Sequence, residues 1–164
     1  MNLTKAKRED IPAIMAIVND AKAYLKKEGI PQWQNGYPNE ETFEGDIEKG
    51  ILYVLKEEEE ILSVFAMLDY ESDYDYIEGA WKDDSPYIVI HRIAVKEDRK
   101  GQNIAGKIFT MLEEEHPHIR IDTHEKNRSM NRCLLKNGFT YCGVIYLKED
   151  GAPRNAYEYS KRKQ

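Results

Sequence analysis

Residues 101 to 108 read GQNIAGKI, which agrees with the phosphate-binding loop of nucleotide hydrolases at every position except the last. That pattern ends in Ser or Thr, whose hydroxyl binds magnesium, and Ile108 stands there instead. Five polar residues also separate Val95, the end of a predicted strand, from Gly101, whereas the nucleotide loop follows its strand directly. The segment is therefore not predicted to bind a nucleoside triphosphate.

The residues around this segment still favour an anion. Arg99 and Lys100 stand beside the small residues Gly101 and Ala105, at the N-terminus of a predicted helix. Backbone N–H groups at a helix N-terminus can surround a phosphate, provided that small side chains leave room. The pattern therefore favours an anion such as a phosphate at this loop. The alternative, an ordinary strand–loop–helix connection, does not account for the run RKGQNIAG.

His91 is a titratable residue inside the apolar segment YIVIHRIAV, residues 87–95. A segment that is apolar almost throughout is typical of a central strand. Histidine gains and loses a proton near neutral pH, and a buried imidazole needs a hydrogen-bond partner. Two interpretations stand side by side: His91 is a catalytic base, or it is a histidine satisfied within the core.

Length and charge narrow the class of protein. The chain has 164 residues, 41% of them apolar and 33% charged, which predicts one globular domain over residues 1–164. A net charge of -6 argues against nucleic acid as a partner. No apolar run approaches the ~20 residues of a membrane span, and the polar start carries no secretory signal. Two cysteines outside any CxxC spacing complete the expectation of a cytoplasmic protein. No metal site is predicted, although four residues invite one: His116, His118, Asp122 and His124.

Periodicity and turn residues predict alternating helices and strands rather than repeats. The predicted order is strand 2–7, helix 8–27, a helix that begins at Asn39, strands 51–56 and 61–70, strand 87–95, a helix that Pro117 ends, strand 119–124, helix 127–137, and strands 139–147 and 155–159. The segment 71–86 is acidic and aromatic, and it is too long for a simple turn.

The stretch IHRIAVKEDRKGQNIAGKIFTMLEE resembles the acetyl-CoA-binding core of the GNAT superfamily of N-acetyltransferases. The family motif, Arg/Gln-x-x-Gly-x-Gly/Ala, falls on Lys100, Asn103 and Ala105. Asn103 replaces a glycine, and Asn tolerates the left-handed backbone. A second family block is similar to residues 121–146, with Asn127 before its helix and Gly138 after it. The resemblance implies an α+β protein with the three-layer α/β/α GNAT fold around a central mixed, mostly antiparallel sheet.

The resemblance also implies an acetyl-CoA-dependent N-acetyltransferase, in which an acceptor amine attacks the thioester directly. His91 would help to remove the amine proton, and backbone N–H groups near the end of its strand would stabilise the oxyanion. The residues that would hold acetyl-CoA are Ile93, Ala94, Val95, Arg99, Lys100, Gly101, Gln102, Asn103, Ile104, Ala105 and Asn127.

The position of the general acid departs most from the family, and Lys100, where Arg or Gln is usual, departs mildly. Many relatives carry a Tyr four residues before the Gly of the second block, placed to protonate the departing thiolate, and Leu134 occupies it here. The general acid is left unassigned.

Acceptor recognition is expected from aromatic loop residues, which would suit a small amine: Trp33, Tyr37, Tyr70 and Trp81. The same aromatics could instead anchor loops or form the surface of a homodimer. Two other functions stay open: an acyl-CoA-binding module with little catalysis, and a protein N-terminal or lysine acetyltransferase. The choice of acyl group is also open.

Overall fold

A computed structural model describes residues 1–163. The strands are β1 (Asn2–Lys5), β2 (Leu52–Glu57), β3 (Glu60–Leu68), β4 (Glu78–Gly79), β5 (Ile88–Val95), β6 (His118–Thr123), β7 (Thr140–Tyr146) and β8 (Pro153–Ser160). The helices are α1 (Ile11–Lys27), α2 (Glu40–Glu48), α3 (Ile104–Glu113) and α4 (Arg128–Lys136). Within the described residues, none of the helices has the length and apolar character that crossing a membrane requires.

The eight strands form one mixed sheet in the order β1-β2-β3-β5-β6-β8-β7-β4. Strands β5 and β6 are parallel. The pairs β1–β2, β2–β3, β6–β8, β7–β8 and β4–β7 are antiparallel. These pairs confirm the predicted α+β class and the mixed, mostly antiparallel sheet.

Strand β4 is absent from the sequence-based prediction because it depends on two glycines meeting in space. Gly79 and Gly143 face each other across the β4–β7 pair, with φ of 136° and 140°. A Cβ on Gly79 would lie 2.1 Å from the Cys142 carbonyl oxygen, and one on Gly143 would lie 2.1 Å from that of Glu78. The close approach needs glycine on both sides, and no local pattern announces it.

Residue contacts divide the chain into two compact units. The first unit contains Met1–Met67 and His91–Ile108, and the second contains Leu68–Ile90 and the chain from Phe109 onward. The chain passes between the units three times, at the end of β3, within β5 and within α3. The organisation of the whole chain as a single domain stays a prediction.

Each unit has its own apolar core. In the first unit, Ile14 and Val18 of α1 are fully buried, as are Val54 and Phe65 of β2 and β3. Burying one such side chain contributes about 1.5–3 kcal/mol. In the second unit, Tyr74, Val89, Ile145 and Ala156 form a buried cluster, against which Leu68, Ile77, Trp81, Tyr87 and Leu147 pack. Part of the acidic and aromatic segment 71–86 is therefore packed structure rather than open loop.

Candidate active site

The loop before α3 has the backbone that the sequence predicted. Gly101 and Asn103 have positive φ angles of 84° and 56°. Asn103 therefore adopts the left-handed conformation expected of it, and its carbonyl accepts a hydrogen bond from the Lys107 N–H at 3.0 Å, in the first turn of α3. Ala105, in the first turn of α3, is buried. By helix geometry, the N–H groups of this first turn point away from the helix body, toward the loop.

The two cations of the loop are engaged by carboxylates of the first unit. Arg99 lies 2.9 Å from Glu60 and 3.3 Å from Glu57, at the turn between β2 and β3. Lys100 lies 2.9 Å from Glu97, and its ammonium is 4.0 Å from the centre of the Tyr24 ring. These contacts tie the loop to its surroundings. The contribution of the loop to anion binding is accordingly expected from its backbone N–H groups more than from these side chains.

Tertiary hydrogen bonds hold the end of β5, which includes Ile93, Ala94 and Val95. The buried Ser63 hydroxyl donates to the Ala94 carbonyl at 2.7 Å, and the Lys96 N–H donates to the Leu62 carbonyl at 2.8 Å. This end of the strand is therefore fixed against β3 within the first unit.

His91 is half-buried in β5, and the residue after it has an unusual backbone. Arg92 has φ of 53°, whereas a strand residue ordinarily has φ near −120° to −140°. Its Nε and Nη2 donate to the two carboxylate oxygens of Asp46, on α2, at 2.8 and 2.9 Å. Its Nη1 donates to the Tyr37 hydroxyl at 3.1 Å. Asp46 and Arg92 were not predicted as site residues, because nothing local distinguishes them from ordinary charged positions of a helix and a strand.

The loop between α1 and α2 carries two of the predicted acceptor residues. Trp33 has φ of 61°, an outlier for a bulky residue, and Tyr37 is largely exposed apart from its contact with Arg92. The Oε1 of Gln32 is buried and has no hydrogen-bond partner among the described residues. Gln32 was not predicted, since a glutamine in a polar loop gives no sign of burial.

Asn127 lies in the second unit, as the N-cap of α4. Its Oδ1 accepts from the Met130 N–H at 3.2 Å, and its carbonyl accepts from the Asn131 Nδ2 at 2.7 Å. Leu134, at the position of the missing Tyr, is fully buried. Asn131 Oδ1 also accepts from the hydroxyl of Tyr157 at 2.5 Å.

Tyr70 and Trp81, the other predicted acceptor residues, have internal partners in the second unit. The Tyr70 hydroxyl donates to Asp75, and this bond to a carboxylate raises the pKa of Tyr70 to about 12. The Trp81 Nε1 donates to the Tyr74 carbonyl at 3.0 Å, and the Arg120 guanidinium lies 4.1 Å from the centre of its ring. A role in acceptor binding stays a prediction for all four aromatic residues.

A buried polar cluster links three segments of the second unit. His118 Nε2 lies 2.6 Å from Glu158 Oε1, and Arg120 donates to the Asp83 carbonyl at 2.8 Å. Burial alone would raise the pKa of Glu158. Its contacts with His118, the Lys82 N–H and Arg120 have the opposite and larger effect, so the pKa lies below its usual value. The hydrogen bond from Ser160 holds the pKa of Asp83 far below its usual range, against the effect of burial.

The four residues that invited a metal site do not meet as one. Among residues 1–163, there is no group of three or more His, Cys, Asp or Glu side chains arranged to hold a metal ion. His118 is engaged in the buried cluster, and Asp122 accepts from the Tyr74 hydroxyl at 2.6 Å. His124 Nδ1 accepts from the Lys126 N–H at 3.0 Å.

Known proteins with this fold identify the class. No protein-family model matches the chain. A crystal structure of a GNAT-family acetyltransferase from Streptococcus agalactiae 2603 is 36% identical, with a TM-score of 0.90, and the match covers 99% of this chain and 96% of that one. The "Uncharacterized N-acetyltransferase YesJ" of Bacillus subtilis (strain 168) is 26% identical over 145 residues, which are 83% of this chain and 79% of the relative. The GNAT-like decarboxylase GphF in complex with isobutyryl-CoA shares the fold, at 10% identity and a TM-score of 0.66 over 99% of this chain and 100% of that one.

The chain belongs to the GNAT family of acetyltransferases. It is an enzyme of the acyltransferase class that uses an acyl-CoA, as the resemblance in its sequence implied.

Proposed function

We propose that this enzyme transfers an acetyl group from acetyl-CoA to the primary amine of a small or amino-acid-like acceptor. The amine nitrogen bonds to the acetyl carbonyl carbon, and the carbon–sulfur bond breaks. One ammonium proton leaves toward His91 before attack, and a second ends on the departing CoA thiolate. Direct transfer needs no covalent enzyme intermediate, so the protein has to bind, orient and deprotonate.

The loop before α3 would hold the donor. The left-handed Gly101 and Asn103 turn the chain into the first turn of α3, and Ala105 places only a buried methyl group in that turn. Such a helix start favours a pyrophosphate. The residues proposed to contact acetyl-CoA are those predicted from the sequence: Ile93, Ala94, Val95, Arg99, Lys100, Gly101, Gln102, Asn103, Ile104, Ala105 and Asn127.

The proposal of an amine acceptor rests on one observation: the side-chain oxygen of Gln32 is buried and has no hydrogen-bond partner among the described residues. A buried carbonyl oxygen without a donor costs about 1–3 kcal/mol, so its retention calls for a function. Gln32 Oε1 is such an atom, beside the strained Trp33 and in the same loop as Tyr37. An ammonium or amine supplies the missing donor. The contact of Tyr37 with Arg92, the neighbour of His91, ties this loop to the strand that would carry the base.

The first experiment is turnover on a panel of small primary amines, with CoA thiol release as the readout and acetyl-, propionyl- and isobutyryl-CoA as donors. We expect release that depends on a small amine and is fastest with acetyl-CoA. Faster release with peptides bearing a free N-terminus or lysine would favour a protein acetyltransferase. Acetyl-CoA binding without amine-dependent release would leave a binding module, and the proposal would be wrong.

Two variants assign the roles within that assay. Gln32→Met should raise the KM for the amine by roughly tenfold while leaving the melting temperature unchanged or higher, because it removes an unsatisfied buried group. His91→Ala should lower kcat by about a hundredfold, the lower range for a general base, with acetyl-CoA affinity unchanged. Parent-like kinetics in either variant would remove that residue from the site.

A further inference from the structure

Arg92 holds a backbone conformation that its own side chain disfavours. Its φ of 53° lies inside β5, directly after His91. A residue with a Cβ populates the left-handed region roughly tenfold or more below the right-handed one. Such a conformation persists only where the surrounding structure enforces it.

The guanidinium of Arg92 supplies that enforcement. Its Nε and Nη2 donate hydrogen bonds to the two carboxylate oxygens of Asp46 at 2.8 and 2.9 Å, and its Nη1 donates one to the Tyr37 hydroxyl at 3.1 Å. The side chains of Arg92 and Asp46 are 15% and 6% exposed, so water competes weakly for these bonds. A planar guanidinium bound on two edges has one allowed orientation, which is why arginine suits a bidentate contact.

The conformation at Arg92 determines what lies on either side of it. In a regular strand, successive side chains alternate between the faces, and a left-handed residue breaks that alternation. After Arg92, the strand is already fixed, because Ser63 donates to the Ala94 carbonyl at 2.7 Å. The direction of the His91 side chain and of the peptide N–H groups beside it therefore depends on the backbone angles of residue 92.

We infer that Asp46 and Arg92 form a positioning pair, which locks the left-handed turn in β5 and so aims His91 and the neighbouring N–H groups at the reacting thioester. The pair acts through the backbone and does not touch the substrate. Tyr37 connects the loop between α1 and α2 to the same guanidinium, so one side chain orders both the strand and that loop. The inference rests on the proposed role of His91 in acetyl transfer.

Glycine and alanine at position 92 separate this role from an ordinary stabilising ion pair. Arg92→Gly and Arg92→Ala both delete the guanidinium and leave Asp46 without its partner. Glycine adopts a positive φ freely, whereas alanine resists it. We expect Arg92→Gly to keep a kcat roughly tenfold above that of Arg92→Ala, with similar KM for acetyl-CoA. Equal kcat values in the two variants would overturn the inference.

A spectroscopic arm tests the pair without an acceptor. The imidazole NMR signals of His91, assigned by their loss in His91→Gln, should match the parent in Arg92→Gly and shift in Arg92→Ala. If the parent turns over no amine, the proposed function fails, and these signals still decide the inference. Parent-like signals in Arg92→Ala would refute it.

Glu58 provides the matched control, because it is another non-glycine residue with positive φ, 57°, at the exposed tip between β2 and β3. Glu58→Gly and Glu58→Ala should differ in melting temperature and show equal kcat. If Arg92→Gly or Arg92→Ala does not fold, the same comparison is made in the Asp46→Asn background, which leaves no buried unpaired carboxylate. A glycine advantage at Glu58 as large as that at Arg92 would also count against the positioning role.

Discussion

Several non-glycine residues with positive φ lie in the segments where substrates are proposed to bind. Among residues 1–163, such non-glycine positions all fall in the first unit: Trp33, Asn35, Glu58, Arg92 and Asn103. Apart from Glu58, at a turn tip, they lie in the loop between α1 and α2, beside His91 in β5, and in the loop before α3. Each costs about 1–3 kcal/mol, so their clustering points to function rather than to stability.

Substitutions of Asn103 test directly whether the loop before α3 binds acetyl-CoA. Asn103→Gly should bind acetyl-CoA as the parent does, whereas Asn103→Val should bind at least about tenfold more weakly, because a β-branched residue resists a φ of 56°. At a hundred times the parent's Kd, acetyl-CoA should stabilise the parent by about 2.7 kcal/mol and the Val variant by about 1.4 kcal/mol or less, seen as shifts in melting temperature. Parent-like binding by Asn103→Val would place the pyrophosphate elsewhere.

Helix α4 carries the leucine that stands where the sequence resemblance implied a tyrosine. Its N-cap Asn127 is held by Asn131, whose Nδ2 also donates to the His124 carbonyl at 3.1 Å. Leu134, further along the helix, is fully buried, while its neighbour Leu135 is 56% exposed. The position where the sequence resemblance implied an acid is therefore part of the core. The thiolate of CoA, with a pKa of about 8.5, can leave without protonation.

A tyrosine at position 134 should therefore lower the stability of the fold and leave kcat unchanged or raise it only modestly. Leu134→Tyr is expected to lower the free energy of unfolding by about 1–3 kcal/mol, since it overpacks a filled site and buries a hydroxyl. Leu135→Tyr, on the exposed side of the same helix, should be neutral to within about 0.5 kcal/mol. Urea unfolding and kcat would be measured for both. A gain in kcat of about a hundredfold in Leu134→Tyr would show that thiolate departure limits the parent.

At the scale of the whole molecule, several buried charged residues lie together in the second unit, among them Asp83, His118 and Glu158. Glu158 and Asp83 have lowered pKa values, chiefly through hydrogen bonds from His118 and Ser160 respectively, acting against burial. A carboxylate whose pKa is lower in the folded chain contributes stability above its unfolded pKa. That stability is lost as the pH falls through the folded pKa. The cluster thus makes the fold sensitive to acid.

The stability of the protein should fall steadily as the pH drops below about 4–5, where the unfolded carboxylates begin to take up protons. Urea unfolding at pH 7, 5, 4 and 3 measures this dependence. Glu158→Gln should be less stable at pH 7 and show a shallower dependence, and the exposed Glu114→Gln serves as the control with the parent's slope. If Glu158→Gln does not fold, Asp83→Asn replaces it. A slope equal to the parent's in these variants would contradict the assignment.

The order of the main helices and strands was predictable from the sequence, and so was the backbone of the loop before α3. The period of the apolar residues indicates helices and strands, and Gly, Pro and Asn indicate where these elements end. The loop at Gly101 and Asn103 is equally local, because its left-handed turns depend on the residue types at those positions. Strand β4 escaped prediction because it consists of two residues opposite a distant glycine.

The sequence by itself thus determined the class of the protein, the order of its elements and the loop that marks the family, since each follows from neighbouring residues. The tertiary structure decided the partners. Asp46 meets Arg92 across 46 residues, and His118 meets Glu158 across 40. It also buried Leu134 and the oxygen of Gln32. An ion pair or a buried polar atom is defined by distance in space and by exclusion of water, and neither can be read from a residue's neighbours along the chain.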